Sequence, residues 1–206
     1  MKSGKCVIFG ASPEYPERIS LPEGELLIIA ADGGIEHAER LGASPDLMIG
    51  DFDSTDSSPD NIPVTVLPHV KDTTDMNEAV RLGIERGCTE FHIYGGTGGR
   101  LDHTLANIQL AADISKQGLN VFFYGKGCTI TAVTNGTIYL PSRESGYVSV
   151  FAHDNECYGV MIKGLMYETS DITLRNDFAL GVSNEFIGKP AEISVKHGTL
   201  IVYYEN

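Results

Sequence analysis

A change of texture near residue 126 splits this chain of 206 residues into two parts that must fold by different rules. Before it, short runs rich in β-branched and aromatic residues alternate with stretches whose apolar residues recur at helical spacing, the pattern of parallel strands joined by crossover helices. Strands are predicted at 6–9, 26–30, 47–49, 64–67, 91–94 and 121–124, and helices at 34–41, 75–86 and 102–117. Asp75 and Glu78 have capping-box spacing, and Gly87 and Gly118 stand where helices should stop. After Gly125-Lys126-Gly127 the runs are short, alternate with period two and are separated by Asn-Gly, Ser-Gly and His-Gly turns. Strands are predicted there at 128–133, 137–140, 147–151, 159–162, 193–196 and 200–204, with no helix. The expected architecture is a Rossmann-like parallel-sheet α/β domain over residues 1–125, followed by an all-β sandwich over residues 126–206.

In an open parallel sheet, ligands bind beyond the carboxyl ends of the strands. Four polar segments fall there: Ala31-Asp32-Gly33-Gly34, Gly50-Asp51-Phe52-Asp53-Ser54, Lys71-Asp72-Thr73-Thr74-Asp75 and Gly95-Gly96-Thr97-Gly98-Gly99-Arg100-Leu101-Asp102. In the last, glycines let backbone N–H groups approach an anion, the following helix adds its positive end, and Arg100 offers two parallel bonds to a phosphoryl group. Asp51 and Asp53, two apart, with Asp75 at the next helix start, supply the hard oxygen ligands that suit Mg²⁺. Lys71 is a further phosphate contact on the same rim. The combination points to phosphoryl chemistry on a magnesium–nucleotide complex. Leu101 stands where a dinucleotide fingerprint needs its third glycine, and no Gly-x4-Gly-Lys-Ser/Thr occurs, so neither familiar nucleotide motif applies.

Each piece also has a plainer reading. Asp51 and Asp53 serve equally as turn formers, Asp75 as a helix cap, Asp32-Gly33-Gly34 as a turn and N-cap, and Lys71 as a solvated loop lysine. Arg100 and Asp102 either lock each other, or Arg100 holds the transferring phosphate while Asp102 orients or deprotonates an attacking hydroxyl.

Charge and cysteine usage narrow the partners. With 28 acidic and 15 basic side chains, a net −13, the chain repels nucleic acid and anionic membrane surfaces, and neither is an expected partner. No stretch approaches the ~18 apolar residues of a membrane span, and the start runs directly into a predicted strand, so a cytoplasmic protein is expected. Cys6, Cys88, Cys128 and Cys157 lack any Cys-x-x-Cys spacing, which argues against zinc and against a disulfide framework.

Ala31-Asp-Gly-Gly34, Gly50-Asp-Phe-Asp-Ser54, Asp72-x-Thr-Asp75, Gly95-Gly-Thr-Gly-Gly-Arg-Leu-Asp-His103 with Asn107, and Gly181-Val-Ser-Asn-Glu185 together resemble, in order and spacing, the bacterial type of thiamine pyrophosphokinase. The resemblance covers essentially the whole chain. It implies an ATP-binding catalytic α/β domain followed by a thiamine-binding sandwich, a homodimer with active sites between subunits, and the reaction ATP + thiamine → AMP + thiamine diphosphate. It implies Mg²⁺ at Asp51, Asp53 and Asp75, and ATP or phosphate contacts at Asp32, Gly33, Gly34, Lys71, Asp72, Gly96, Thr97, Gly98, Gly99 and Arg100. Asp102, Ser183 and Asn184 would face thiamine. Two departures stand out. The chain has no tryptophan for the stacking platform used by animal members, and Thr74-Asp75-Met76-Asn77-Glu78 differs from the Thr-Asp-Thr-Glu form of many relatives.

Overall fold

β1 (Gly4–Phe9) pairs in parallel with β2 (Leu26–Ala31) on one side and β5 (Cys88–Tyr94) on the other, with Phe9 opposite both Ala30 and Tyr94. Beyond β2 the sheet continues in parallel through β3 (Leu47–Gly50) and β4 (Val64–Val66). This is a computed structural model, and it describes residues 4–50, 63–66 and 73–206. The chain divides into two units: Met1–Asn107 with Phe123–Lys126, and Ile108–Phe122 with Gly127–Asn206.

The first unit is wound on both faces of its sheet. Side chains alternate along β1, sending Val7 and Phe9 to one face and Cys6 and Ile8 to the other. Ala38 of α1 (Gly34–Arg40) packs with Val7, Phe9 and Tyr94. On the opposite face Gly83 of α2 (Asp75–Glu85) lies so close to the sheet that a Cβ there would stand 2.7 Å from Phe91 Cε1 and 3.2 Å from Cys6 Sγ. Strands covered on both faces read as unbroken apolar runs, which is why they were legible in the sequence. Residues 10–25, between β1 and β2, form neither helix nor strand. The Tyr15 hydroxyl ties them down by donating to Gly10 O at 2.7 Å, and the Tyr94 hydroxyl by donating to Ser20 O at 3.1 Å.

The start of α2 departs from the capping-box expectation. Thr74 is the N-cap: extended at φ −84° and ψ 158°, it accepts the Asn77 N–H on its side-chain oxygen at 3.2 Å. Glu78 instead accepts the Thr73 hydroxyl at 2.9 Å. A threonine directly before the helix takes the capping position, leaving the Asp75 carboxylate inside the first turn, at the positive end of the helix.

The second unit is a sandwich. β7 (Cys128–Thr134), β14 (Thr199–Glu205), β9 (Tyr147–Ala152) and β12 (Asn184–Glu185) form one antiparallel sheet. The other contains β11 (Thr169–Arg175), β10 (Glu156–Lys163), β13 (Ala191–Ser194) and β8 (Thr137–Leu140). Val148, Val150, Leu200 and Val202 from the first sheet share one core with Val160, Ile162, Leu174 and Ile193 from the second.

The latter part of α3 (Leu101–Lys116) and the first residues of β6 (Asn120–Gly125) belong to this unit, tied in by hydrogen bonds. Thr131 Oγ1 donates to Val121 O at 2.7 Å, Ser115 Oγ and Thr134 Oγ1 lie 2.9 Å apart, and Lys116 Nζ donates to Asp154 at 2.9 Å.

All four cysteines are free thiols. Cys6 and Cys88 are buried in the first unit and Cys157 in the second, while Cys128 is half-buried. A hydrogen bond with Cys88 and burial push the Cys6 thiol up, and burial pushes Cys157 up.

Candidate functional site

Beyond the carboxyl ends of β1, β2 and β5 lies a cavity of about 350 Å³ within the first unit. Each of these strands ends in a small or turn-forming residue: Gly10 after β1, Asp32 after β2 and Gly95 after β5. The backbone therefore turns away at the rim and leaves the space open. Thr74, Asp75 and Met76 at the start of α2 form another wall, and Gly96, Gly98, Gly99, Arg100, His103 and Asn107 close the floor.

The glycine loop is held from within. Asn107, 7% exposed, donates its Nδ2 to Gly96 O at 2.6 Å, and Gly98 N–H donates to Thr104 Oγ1 at 3.0 Å. Gly98 and Gly99 adopt φ of +80° and +62°, the left-handed region, so side chains at these positions would strain the loop. Gly96 is compact for another reason: a Cβ there would press on the Phe123 ring at 2.7 Å. Thr97 is buried, and its carbonyl accepts the Ser12 hydroxyl at 2.6 Å.

Arg100 and Asp102 meet in a two-pronged pair, Nε to Oδ1 at 3.2 Å and Nη2 to Oδ2 at 2.6 Å, with the side chains 70% and 65% exposed. The Arg100 guanidinium holds the Asp102 carboxyl below the usual carboxylate range, and Asp102 in turn raises Arg100. A carboxylate so held orients a hydroxyl far better than it takes a proton from one.

The remaining expected positions fall in different places. Asp32 lines the cavity at φ +52°, with its N–H donating to Ile49 O at 2.7 Å. Gly33 is the N-cap of α1 without a side-chain cap bond. Gly34 faces β1, where a Cβ would overlap Phe9 O, and neither glycine lines the cavity. Asp51, Asp53, Lys71 and Asp72 lie outside the described residues. Among the described residues no group of three His, Cys, Asp or Glu is arranged to hold a metal ion, though Asp32 and Asp75 give the cavity two carboxylates of the donor type Mg²⁺ takes.

Ser183 and Asn184 sit in the sandwich. Ser183 is exposed at φ +60°, and its N–H donates to Ser149 Oγ at 3.1 Å. Asn184, 5% exposed, accepts the Tyr167 N–H at 2.9 Å and donates to Tyr167 O at 2.7 Å. Its Oδ1 also accepts the Glu185 N–H at 2.9 Å, so the amide is largely committed to holding backbone.

Sequence reasoning passed over Ser12 and Pro13 on the cavity wall and Glu14 beside the glycine loop. The available signal was the small-residue run Gly10-Ala11-Ser12 directly after the first strand.

The sequence matches the pattern described as thiamin pyrophosphokinase, catalytic domain, over residues 20–123, and that described as thiamin pyrophosphokinase, vitamin B1 binding domain, over residues 135–200. Thiamine pyrophosphokinase of Bacillus subtilis (strain 168) is 27% identical over 209 residues, spanning 98% of each chain. The crystal structure of thiamine pyrophosphokinase from Bacillus subtilis aligns with a TM-score of 0.87 at 25% identity, covering 98% of this chain and 99% of that one. The thiamin pyrophosphokinase from Geobacillus thermodenitrificans shares the fold, with a TM-score of 0.81 at 24% identity over 98% of this chain and 97% of that one. The two pattern matches follow one another along most of the chain, in the order of its α/β and β-sandwich parts, and the chain belongs to the thiamin pyrophosphokinase family.

Proposed function

We propose a division of labour for the reaction that family membership assigns to this chain, transfer of pyrophosphate from ATP to the hydroxyl of thiamine to give thiamine diphosphate and AMP. The observation that carries it is the cavity at the strand ends, where a glycine loop in the left-handed conformation, Arg100 and Asp75 line the same space. Gly96, Thr97, Gly98 and Gly99 present the loop to the ATP phosphates, with Asp32, Lys71 and Asp72 completing the nucleotide side and Gly33 and Gly34 shaping the turn that carries Asp32. Arg100 keeps its Nη1 edge for a phosphate oxygen while Nε and Nη2 stay on Asp102. Asp102 positions the thiamine hydroxyl, whose oxygen attacks the β-phosphorus as its proton passes to solvent. The bond from that phosphorus to the oxygen bridging it to the α-phosphate breaks, and AMP departs with that oxygen.

Asp51, Asp53 and Asp75 would hold Mg²⁺, which neutralises phosphate charge when bound. Residues 1–125 act as the ATP-binding catalytic domain and residues 126–206 as the thiamine-binding domain, with Ser183 and Asn184 at the pyrimidine. We place the enzyme in the cytoplasm, in keeping with its four free thiols, and as a homodimer with active sites between subunits. No helix of the described residues is long and apolar enough to cross a membrane. A scattering mass equal to the 22.3 kDa chain in fully active protein would remove the dimer.

Incubation with MgATP, with and without thiamine, tests the reaction. AMP is expected to appear in step with thiamine diphosphate and only when thiamine is present. ADP with thiamine monophosphate would place attack at the terminal phosphorus instead, and thiamine-independent phosphate release would make the chain a hydrolase.

A further inference from the structure

Residues 12–15 fold back over the glycine loop. Ser12 N–H donates to Gly95 O at 3.1 Å and its hydroxyl to Thr97 O, while Tyr15 packs so that a Cβ on Gly95 would lie 2.6 Å from its ring and hydroxyl. Between these anchors, Glu14 Oε1 accepts the Gly99 N–H at 3.4 Å. A Cβ on Gly98 would overlap the Glu14 carboxyl group. In a chain of net charge −13, this carboxylate is seated on the loop that leads into the positive end of α3. It lies beside the cavity wall and takes an N–H of the loop to which the proposed function gives the phosphates.

We propose that Glu14 is an internal occupant of the phosphate position, holding the glycine loop in shape until the nucleotide displaces it. The inference rests on the reading in which this loop takes the phosphates of ATP. Two physical consequences follow. A nucleotide must first remove a competing anion, so its apparent affinity is lowered by the fraction of molecules in which Glu14 is seated. The seat is exposed and its one hydrogen bond is long, so the handicap is small and sensitive to salt.

Glu14→Gln keeps the shape and an amide oxygen but removes the charge, and Glu14→Ala removes both. Binding of a non-hydrolysable ATP analogue with Mg²⁺, measured by calorimetry, should tighten about threefold in Glu14→Gln and further in Glu14→Ala. The gain should shrink as KCl rises from about 0.05 to 0.5 M, because screening weakens the carboxylate's competition. KM for thiamine should stay at the wild-type value, which separates an effect on the nucleotide from general damage. Unchanged or weaker analogue binding in both variants, or no binding by any form, overturns the proposal. Thiamine-dependent AMP formation by the wild type, measured separately, shows whether the function itself stands, so the two failures are distinguishable.

Discussion

Arg100 and Asp102 control each other's charge, and their titration follows from that. The depressed Asp102 carboxyl stays ionised to lower pH than an ordinary aspartate, so an acid limb of kcat/KM governed by it should lie low. Arg100→Lys keeps a cation but loses the two-pronged fork, so the Asp102 pKa should rise and activity should fall away at higher pH on acidification. At the pH optimum, kcat/KM for ATP should drop about tenfold or more, because a lysine is a single point charge where the guanidinium holds Asp102 and a phosphate oxygen at once. A pH–rate series of the two proteins checks both effects, and an unmoved acid limb would show that Asp102 does not govern it. Ser183 and Asn184 separate by the same reasoning. Asn184→Ala removes a buried amide that holds both the Tyr167 N–H and the Tyr167 carbonyl, and should cost about 1–2 kcal/mol in urea unfolding. Ser183→Ala should leave stability near wild type and raise KM for thiamine alone, and equal effects on both substrates would remove Ser183 from the thiamine site. The sequence made the glycine loop, Arg100 and Asp75 readable because each residue type announces its chemistry. Glu14 was not readable, since a glutamate in a loop signals nothing until the fold brings it 85 positions along the chain to Gly99.

Among the elements, the start of α1 leaves no room for a side chain at Gly34. α1 begins pressed against β1, and Gly34 is the residue that lets it do so. Gly34→Ala would drive a methyl group into the Phe9 carbonyl, a backbone atom at the sheet centre that cannot swing aside. Unfolding in urea should show a loss of about 2–3 kcal/mol, near the upper end of overpacking costs. A variant as stable as wild type would mean that α1 can shift outward without penalty. The elements legible from the sequence share one property, burial on at least one full face, and all three helices and the strands β1, β2, β3 and β5 have it. β11 was missed because only Leu174 of its seven residues is buried, and its charged, bulged edge carries no apolar rhythm. β12, two residues long, has no periodicity to detect. Residues 10–25 show neither period, and they form a loop where a crossover helix would ordinarily run.

For the whole molecule, the division of the chain is not a single cut. Residues 108–122 belong with the sandwich, and they bring it the buried side chains of Ala111, Ala112, Ile114 and Val121. A fragment of residues 127–206 loses these and the bonds from Val121 O, Ser115, Lys116 and Gln109. It should melt more than about 10 °C below a fragment of residues 108–206, since each lost bond is worth about 1 kcal/mol and each kcal/mol moves the midpoint by roughly 4–8 °C in a domain of this size. Equal melting of the two fragments would make residues 108–122 dispensable to the sandwich. The thiols, finally, make each core its own clock. A maleimide reaches half-buried Cys128 in the native state, but Cys6 and Cys88 only when the first unit opens, and Cys157 only when the sandwich does. With excess reagent, the modification rate at each cysteine reports how often its surroundings open, so peptide mapping over time would tell whether the two cores open in concert or separately, with no label introduced by mutation.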